Sequence, residues 1–165
     1  MHLSGKAAAF VLVGILAGCQ VKPLYSEASP AGASMASVEF SEATSRIEQE
    51  VRNAMIFHAS GGAGEPANPQ YKVTLTVSEQ IIGALYDQAS DTPAAGRIVV
   101  IADYNLTIAE TGETIKSGRR SAVALVDFPT QEFAKVRAVR DGENRAAREL
   151  AEILRAEIAA ALGRE

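Results

Sequence analysis

Residues 70–82 carry the clearest strand pattern, with apolar and polar side chains alternating from Gln70 to Ser78. Tyr71, Val73, Leu75 and Val77 fall on one side, with Lys72, Thr74, Thr76 and Ser78 between them. A period of two predicts a strand in a sheet with one solvated face. Residues 97–109 repeat the pattern, with Ile98, Val100, Ala102, Tyr104, Leu106 and Ile108 on one side. Val99 and Ile101 make the first half apolar on both sides. Glu110-Thr111-Gly112-Glu113 reads as a tight turn, and residues 114–127 return as the other arm of a hairpin. Residues 84–96, with Asp87, Ser90, Asp91 and Pro93, read as a long excursion between the first two of these strands.

Two stretches have the helical period instead. Ile47, Val51, Met55 and His58 recur on one face. Ser45 with Glu48 fits a capping box at the start, and Gly61-Gly62 fits a stop. From Gln131 to Leu162, Ala147, Leu150, Leu154, Ile158 and Leu162 form a single stripe. Gly142 sits mid-way, where a bend is expected. Val38-Glu39-Phe40 is too short to read as more than a first strand. The order is strand, helix, three antiparallel strands, helix. It predicts an α+β two-layer sandwich, with a mostly antiparallel four-stranded sheet covered on one face by two helices.

The first residues follow another logic. Residues 7–17 are an unbroken apolar run of eleven, whereas a membrane-spanning helix needs about 20. The run has the length of a secretory signal core. Leu16-Ala17-Gly18-Cys19 follows and reads as a lipobox, with the thiol of Cys19 as the atom that takes the lipid. The expected division is a signal peptide over 1–18, a lipidated tether over 19–37 and a single α+β domain over 38–162. Two or more acyl chains on Cys19 would anchor the chain stably to a membrane. Gln20, rather than Asp, follows the cysteine. By resemblance to enteric sorting signals, that implies the outer membrane, with the domain facing the periplasm. The tether's beginning, Val21-Lys22-Pro23-Leu24-Tyr25, is more apolar than a plain linker requires.

Composition narrows the chemistry. The 165 residues carry 16 Lys and Arg against 20 Asp and Glu, a net charge of −4, with one Cys and two His. A broad basic face for nucleic acid is not expected. A single cysteine gives neither an internal disulfide nor a structural zinc site. Gly61-Gly62-Ala63-Gly64 follows a helix and lacks the Lys-Ser/Thr of a phosphate loop. His58, the one histidine left after cleavage, has no companion for a nucleophilic triad. Asp87, Asp91 and Asp103 are the carboxylates from which a glycan-acting pair would be drawn, and solvated charge is the simpler reading of each. No catalysis and no cofactor are expected. Arg97, Lys116, Arg119 and Arg120 fall on the two hairpin strands, a candidate contact for phosphate groups or for a partner. Protection of a strand edge by cations is the alternative.

Lipobox Cys19 followed by Lys22-Pro23-Leu24-Tyr25 resembles the start of the LPS-assembly lipoprotein LptE family, alphaproteobacterial type. Phe133-Ala134, Asp141, Arg145-Ala146 and Leu150-Ala151 are similar to that family's last helix. The resemblance implies an outer-membrane lipoprotein that acts as plug and assembly partner of the β-barrel protein LptD, in lipopolysaccharide transport to the cell surface. The domain would then face the periplasm or sit inside the barrel lumen, in contact with LptD and lipopolysaccharide. An interaction lipoprotein of another envelope system, such as a pilotin or a cell-wall-associated factor, needs the same anchor and stays open at this point.

Overall fold

The computed structural model describes residues 30–87 and 92–164. Cys19, the Lys22–Tyr25 motif and Asp91 lie outside the described residues. The elements are α1 (Pro30–Met35), β1 (Val38–Phe40), α2 (Arg46–Ser60), β2 (Tyr71–Asp87), β3 (Thr92–Ile108), β4 (Thr114–Asp127) and α3 (Glu132–Leu162). The strands form one sheet in the order β1-β2-β3-β4. β1 runs parallel to β2, and the β2–β3 and β3–β4 pairs are antiparallel. α2 is the crossover between the parallel pair, as parallel strands require. The α+β sandwich with a mostly antiparallel sheet is therefore the fold.

Alternation along the strands decides which face the helices cover. Val73, Leu75 and Val77 of β2, Ile98, Val100 and Leu106 of β3, and Ala122, Ala124 and Val126 of β4 are all buried. The registers Val73↔Leu106, Val100↔Ala122 and Ile98↔Ala124 put them on one side. Ile47, Val51 and Met55 of α2, with Leu150, Leu154 and Ile158 of α3, close the core from above. Ser45 caps α2, its side-chain oxygen accepting from the Glu48 backbone N–H at 3.2 Å. The Glu48 carboxylate reaches back to the Thr44 N–H at 2.8 Å, one residue earlier than in the usual box. Gly61 ends α2 at φ 61°, where a side chain would be strained.

Three expectations change. Residues 84–96 are mostly paired strand, not an excursion. β2 and β3 run on to Asp87 and Thr92, with register shifts beside Leu85. The Asp and Pro signals mark only the tip of a long arm. β2 has 17 residues, which at 3.3 Å each span about 55 Å. Residues 30–37, read as the end of the tether, carry α1, whose Met35 is buried in the core. Gly142 does not interrupt its helix. α3 is continuous over 31 residues, and Gly142 is buried where the helix touches the sheet. A Cβ there would lie 2.4 Å from Val126 Cγ2 and 2.7 Å from Ile98 Cδ1.

Candidate interaction surface

The four cations singled out on the hairpin do not form one cluster. Adjacent strand residues face opposite sides, so Arg119 and Arg120 must separate. Arg119 lies on the open face and meets Asp103 across the β3–β4 pair in a two-pronged ion pair at 2.7 and 2.8 Å. Arg120 lies on the helix side. It reaches Glu157 of α3 at 2.5 Å, and the Tyr104 hydroxyl donates to the same carboxylate at 3.1 Å. Lys116 shares that side, near Glu157 and Arg164 in a shallow hollow at the sheet edge. Arg97 sits on the open face opposite Leu125, six β4 residues from Arg119, or about 20 Å.

These pairings fix the local electrostatics. The hydrogen bond from Arg120 holds the Glu157 carboxyl below the ordinary glutamate range, against a smaller opposing effect of burial. The hydrogen bond from Arg119 lowers Asp103 in the same way. Burial, then the hydrogen bond to Glu157, pushes the Tyr104 phenol up. A carboxylate with a depressed folded pKa contributes stability above its unfolded pKa and loses it as pH falls through the folded value. Glu157→Gln should therefore be less stable than the parent at pH 7, with the difference closing below about pH 4. Urea midpoints at pH 7, 5 and 3 read this directly. Asp103 and Arg119 are both well exposed, so Asp103→Asn should leave the urea midpoint at pH 7 unchanged within error.

The remaining candidates find ordinary roles. Asp103 is engaged by Arg119, and Asp87 ends β2 at the tip of the arm, so the structure brings no carboxylate pair together from these residues. His58 lies 3.2 Å from Glu152 across the α2–α3 seam. Among the described residues no group of three or more His, Cys, Asp and Glu is placed to hold a metal, and no helix is long and apolar enough to cross a membrane.

What the structure does assemble is apolar. Open-face residues stand in cross-strand ranks. Thr74, Asn105 and Ser117 form one rank and Ser78, Ile101 and Ser121 another; then come Gln80, Val99 and Val123, and last Ile82, Arg97 and Leu125. Polarity gives way to hydrocarbon toward the tip of the β2–β3 arm. Leu125 is 75% exposed and Leu85 65%, with Ile81, Ile82, Tyr86 and Val123 also exposed. α3 starts at the same end, because Phe128 after β4 donates its N–H to Ala94 of β3 at 2.8 Å. The first turns of α3 add Phe133, 74% exposed, and Val136, and the Arg137 guanidinium lies 5.0 Å from the Phe133 ring centroid. Of the large exposed apolar side chains, Phe57 alone lies elsewhere among the described residues. Strand parity divides this hydrocarbon between the two sides of the sheet. Ile82, Val123 and Leu125 lie on the open face, and Ile81, opposite buried Ile98, lies on the helix side with the start of α3. Exposed hydrocarbon gathered at one end in this way is a candidate interaction surface.

Pattern reading missed this surface. Of its strand residues only Leu85 and Tyr86 fall in the stretch expected to be an excursion. Ile81, Ile82, Val123 and Leu125 fall in expected strands, where alternation does not tell an exposed apolar side chain from a buried one. One signal was present. In β4 the open-face residues Val123 and Leu125 are larger than their core-side neighbours Ala122 and Ala124. A strand that puts its bulk outward has something to meet there.

The architecture is thus a small helix-covered sheet with a long arm and an apolar, arginine-bearing distal end. No family model and no curated protein matches the sequence. Solved structures do. A protein of Caulobacter crescentus, described as a candidate lipoprotein, shares 22% identity over 82% of this chain and 97% of its own, with a TM-score of 0.68. The rare lipoprotein B of Shewanella oneidensis shares 12% identity over 74% of this chain and 92% of its own, with a TM-score of 0.52. A minor lipoprotein of Acinetobacter baumannii gives 11% identity, 74% and 88% coverage, and a TM-score of 0.51. At these identities the likeness is one of fold, and it is a fold that lipoproteins use.

Proposed function

We propose that this chain is an outer-membrane lipoprotein of the LptE type, anchored through lipid on Cys19, which plugs and helps assemble the LptD β-barrel in lipopolysaccharide transport. It works by contact and carries out no catalysis. The lipobox, the Lys22–Tyr25 motif and the pattern of the last helix support the anchor and the type, and the fold shared with three lipoproteins agrees with both. The observation that carries the reading is the distal surface. Phe57 apart, the large exposed apolar side chains gather at one end of the sheet, as a protein that docks through that end would need.

The rest of the open face suits a barrel interior. Thr74, Thr76, Ser78, Asn105, Ser117 and Ser121 are polar and short, and barrel lumens are polar. An arm of about 55 Å exceeds the apolar band of an outer-membrane barrel, about 25 Å tall, so the domain can reach through the lumen. Anchoring beside the barrel raises the local concentration of the plug.

Affinity purification from detergent-solubilised outer membranes tests the reading. It expects a large barrel protein in stoichiometric amount, and depletion of the chain to lower surface lipopolysaccharide. Recovery of the chain alone, or depletion that leaves lipopolysaccharide normal and disturbs secretion or the cell wall, would contradict it.

A further inference from the structure

One apolar feature lies far from the distal end. Phe57 of α2 is 62% exposed beside a hollow of about 560 Å³ along the α2–α3 seam. Ala54 and Asn53 of α2 and Glu149 of α3 also line it. His58 joins it to a second hollow of about 390 Å³, lined by Ala33 and Met35 of α1. The seam therefore leads from α1 along the two helices. Its rim is acidic. Arg148 faces Glu50 at 3.9 Å and His58 faces Glu152, while Glu149 has no ion-pair partner among the described residues.

We propose that residues 21–25 of this same chain fold back into that seam, with Leu24 and Tyr25 on Ala54 and Phe57 and the Lys22 ammonium at Glu149. The inference goes beyond the plug reading and does not depend on it. Three observations choose this occupant over any other. The described chain begins at Pro30, in the helix that lines the head of the seam. The reach is right: the five residues from Pro30 back to Tyr25 extend about 17 Å, and α2 rises about 12 Å from His58 to Glu50. The chemistry is complementary, since Lys22 is the one charged residue of the Val-Lys-Pro-Leu-Tyr motif and the seam offers hydrocarbon with an unpaired carboxylate beside it.

The consequence is mechanical. A free leash over residues 19–29 would extend to about 36 Å, whereas a docked motif leaves residues 19–20, about 7 Å. The lipid then holds the α2–α3 side of the domain close to the membrane and sets its orientation.

Disulfide trapping tests this on the protein as the cell processes it, purified in mild detergent. The pair Tyr25→Cys and Asn53→Cys should form a link within one chain, identified by mass spectrometry of the joined peptides. It should form about tenfold or more faster than the pair Tyr25→Cys and Ser121→Cys on the open face of the sheet. Adding Lys22→Glu and Phe57→Ser to the first pair should slow it about fivefold or more, toward the rate that the short leash from Pro30 sustains by itself. Equal rates for the two pairs, insensitivity to Lys22→Glu and Phe57→Ser, or links only between separate molecules would each overturn the proposal.

Discussion

Gly142→Leu should destabilise the domain by about 3 kcal/mol, read as a fall in the urea midpoint with an unchanged slope. A helix interior ordinarily gains about 1 kcal/mol when Gly becomes Ala. Here the sign reverses, because the first added carbon already lies 2.4 Å from Val126 Cγ2 and 2.7 Å from Ile98 Cδ1. Neither atom can retreat freely, since Ile98 is fully buried and Val126 nearly so. Gly142→Ala should itself be destabilising. Combining it with Val126→Ala should restore part of the loss, a non-additivity that two residues in contact produce and distant ones do not. If Gly142→Ala instead raised the midpoint, the close approach of α3 to the sheet would be wrong.

The second large effect is at the distal end. Leu85→Asp and Leu125→Asp should each cost the association with the barrel about 2 kcal/mol, roughly thirtyfold in recovered complex, as expected for large apolar anchors at the centre of an interface. Both side chains are mostly exposed, so the urea midpoint should move by less than about 0.5 kcal/mol equivalent. Binding is lost while folding is kept, which separates an interaction surface from a core defect. Thr111→Asp, in the turn at the opposite end of the sheet, serves as the control and should retain most of the complex.

The sheet was legible because solvent leaves a period of two wherever one face is wet. β4 was read at its observed limits, 114–127, since a glycine turn before it and Pro129 after it bound the run. α3 was read almost to the residue from one apolar stripe. The β2–β3 arm was not legible. Near its tip both faces are exposed, and hydrophobic alternation records burial rather than pairing. Gly142 was misread for a related reason. A glycine in a helix has one signature in sequence, and whether it marks a bend or a close contact depends on what stands opposite. Strand parity carries the division of Arg119 from Arg120, although the sequence reading grouped the two in one contact. Parity does not give Glu157 as the partner of Arg120, because the two lie on different elements 37 positions apart.

Photo-crosslinking in intact cells tests the central claim most directly. A photoreactive residue at Leu125 or Leu85 should yield a covalent adduct with the mass of an outer-membrane barrel protein, and one at Thr111, in the turn at the opposite end of the sheet, should yield far less. No large adduct from Leu85 or Leu125, or an equal yield from Thr111, would contradict the account.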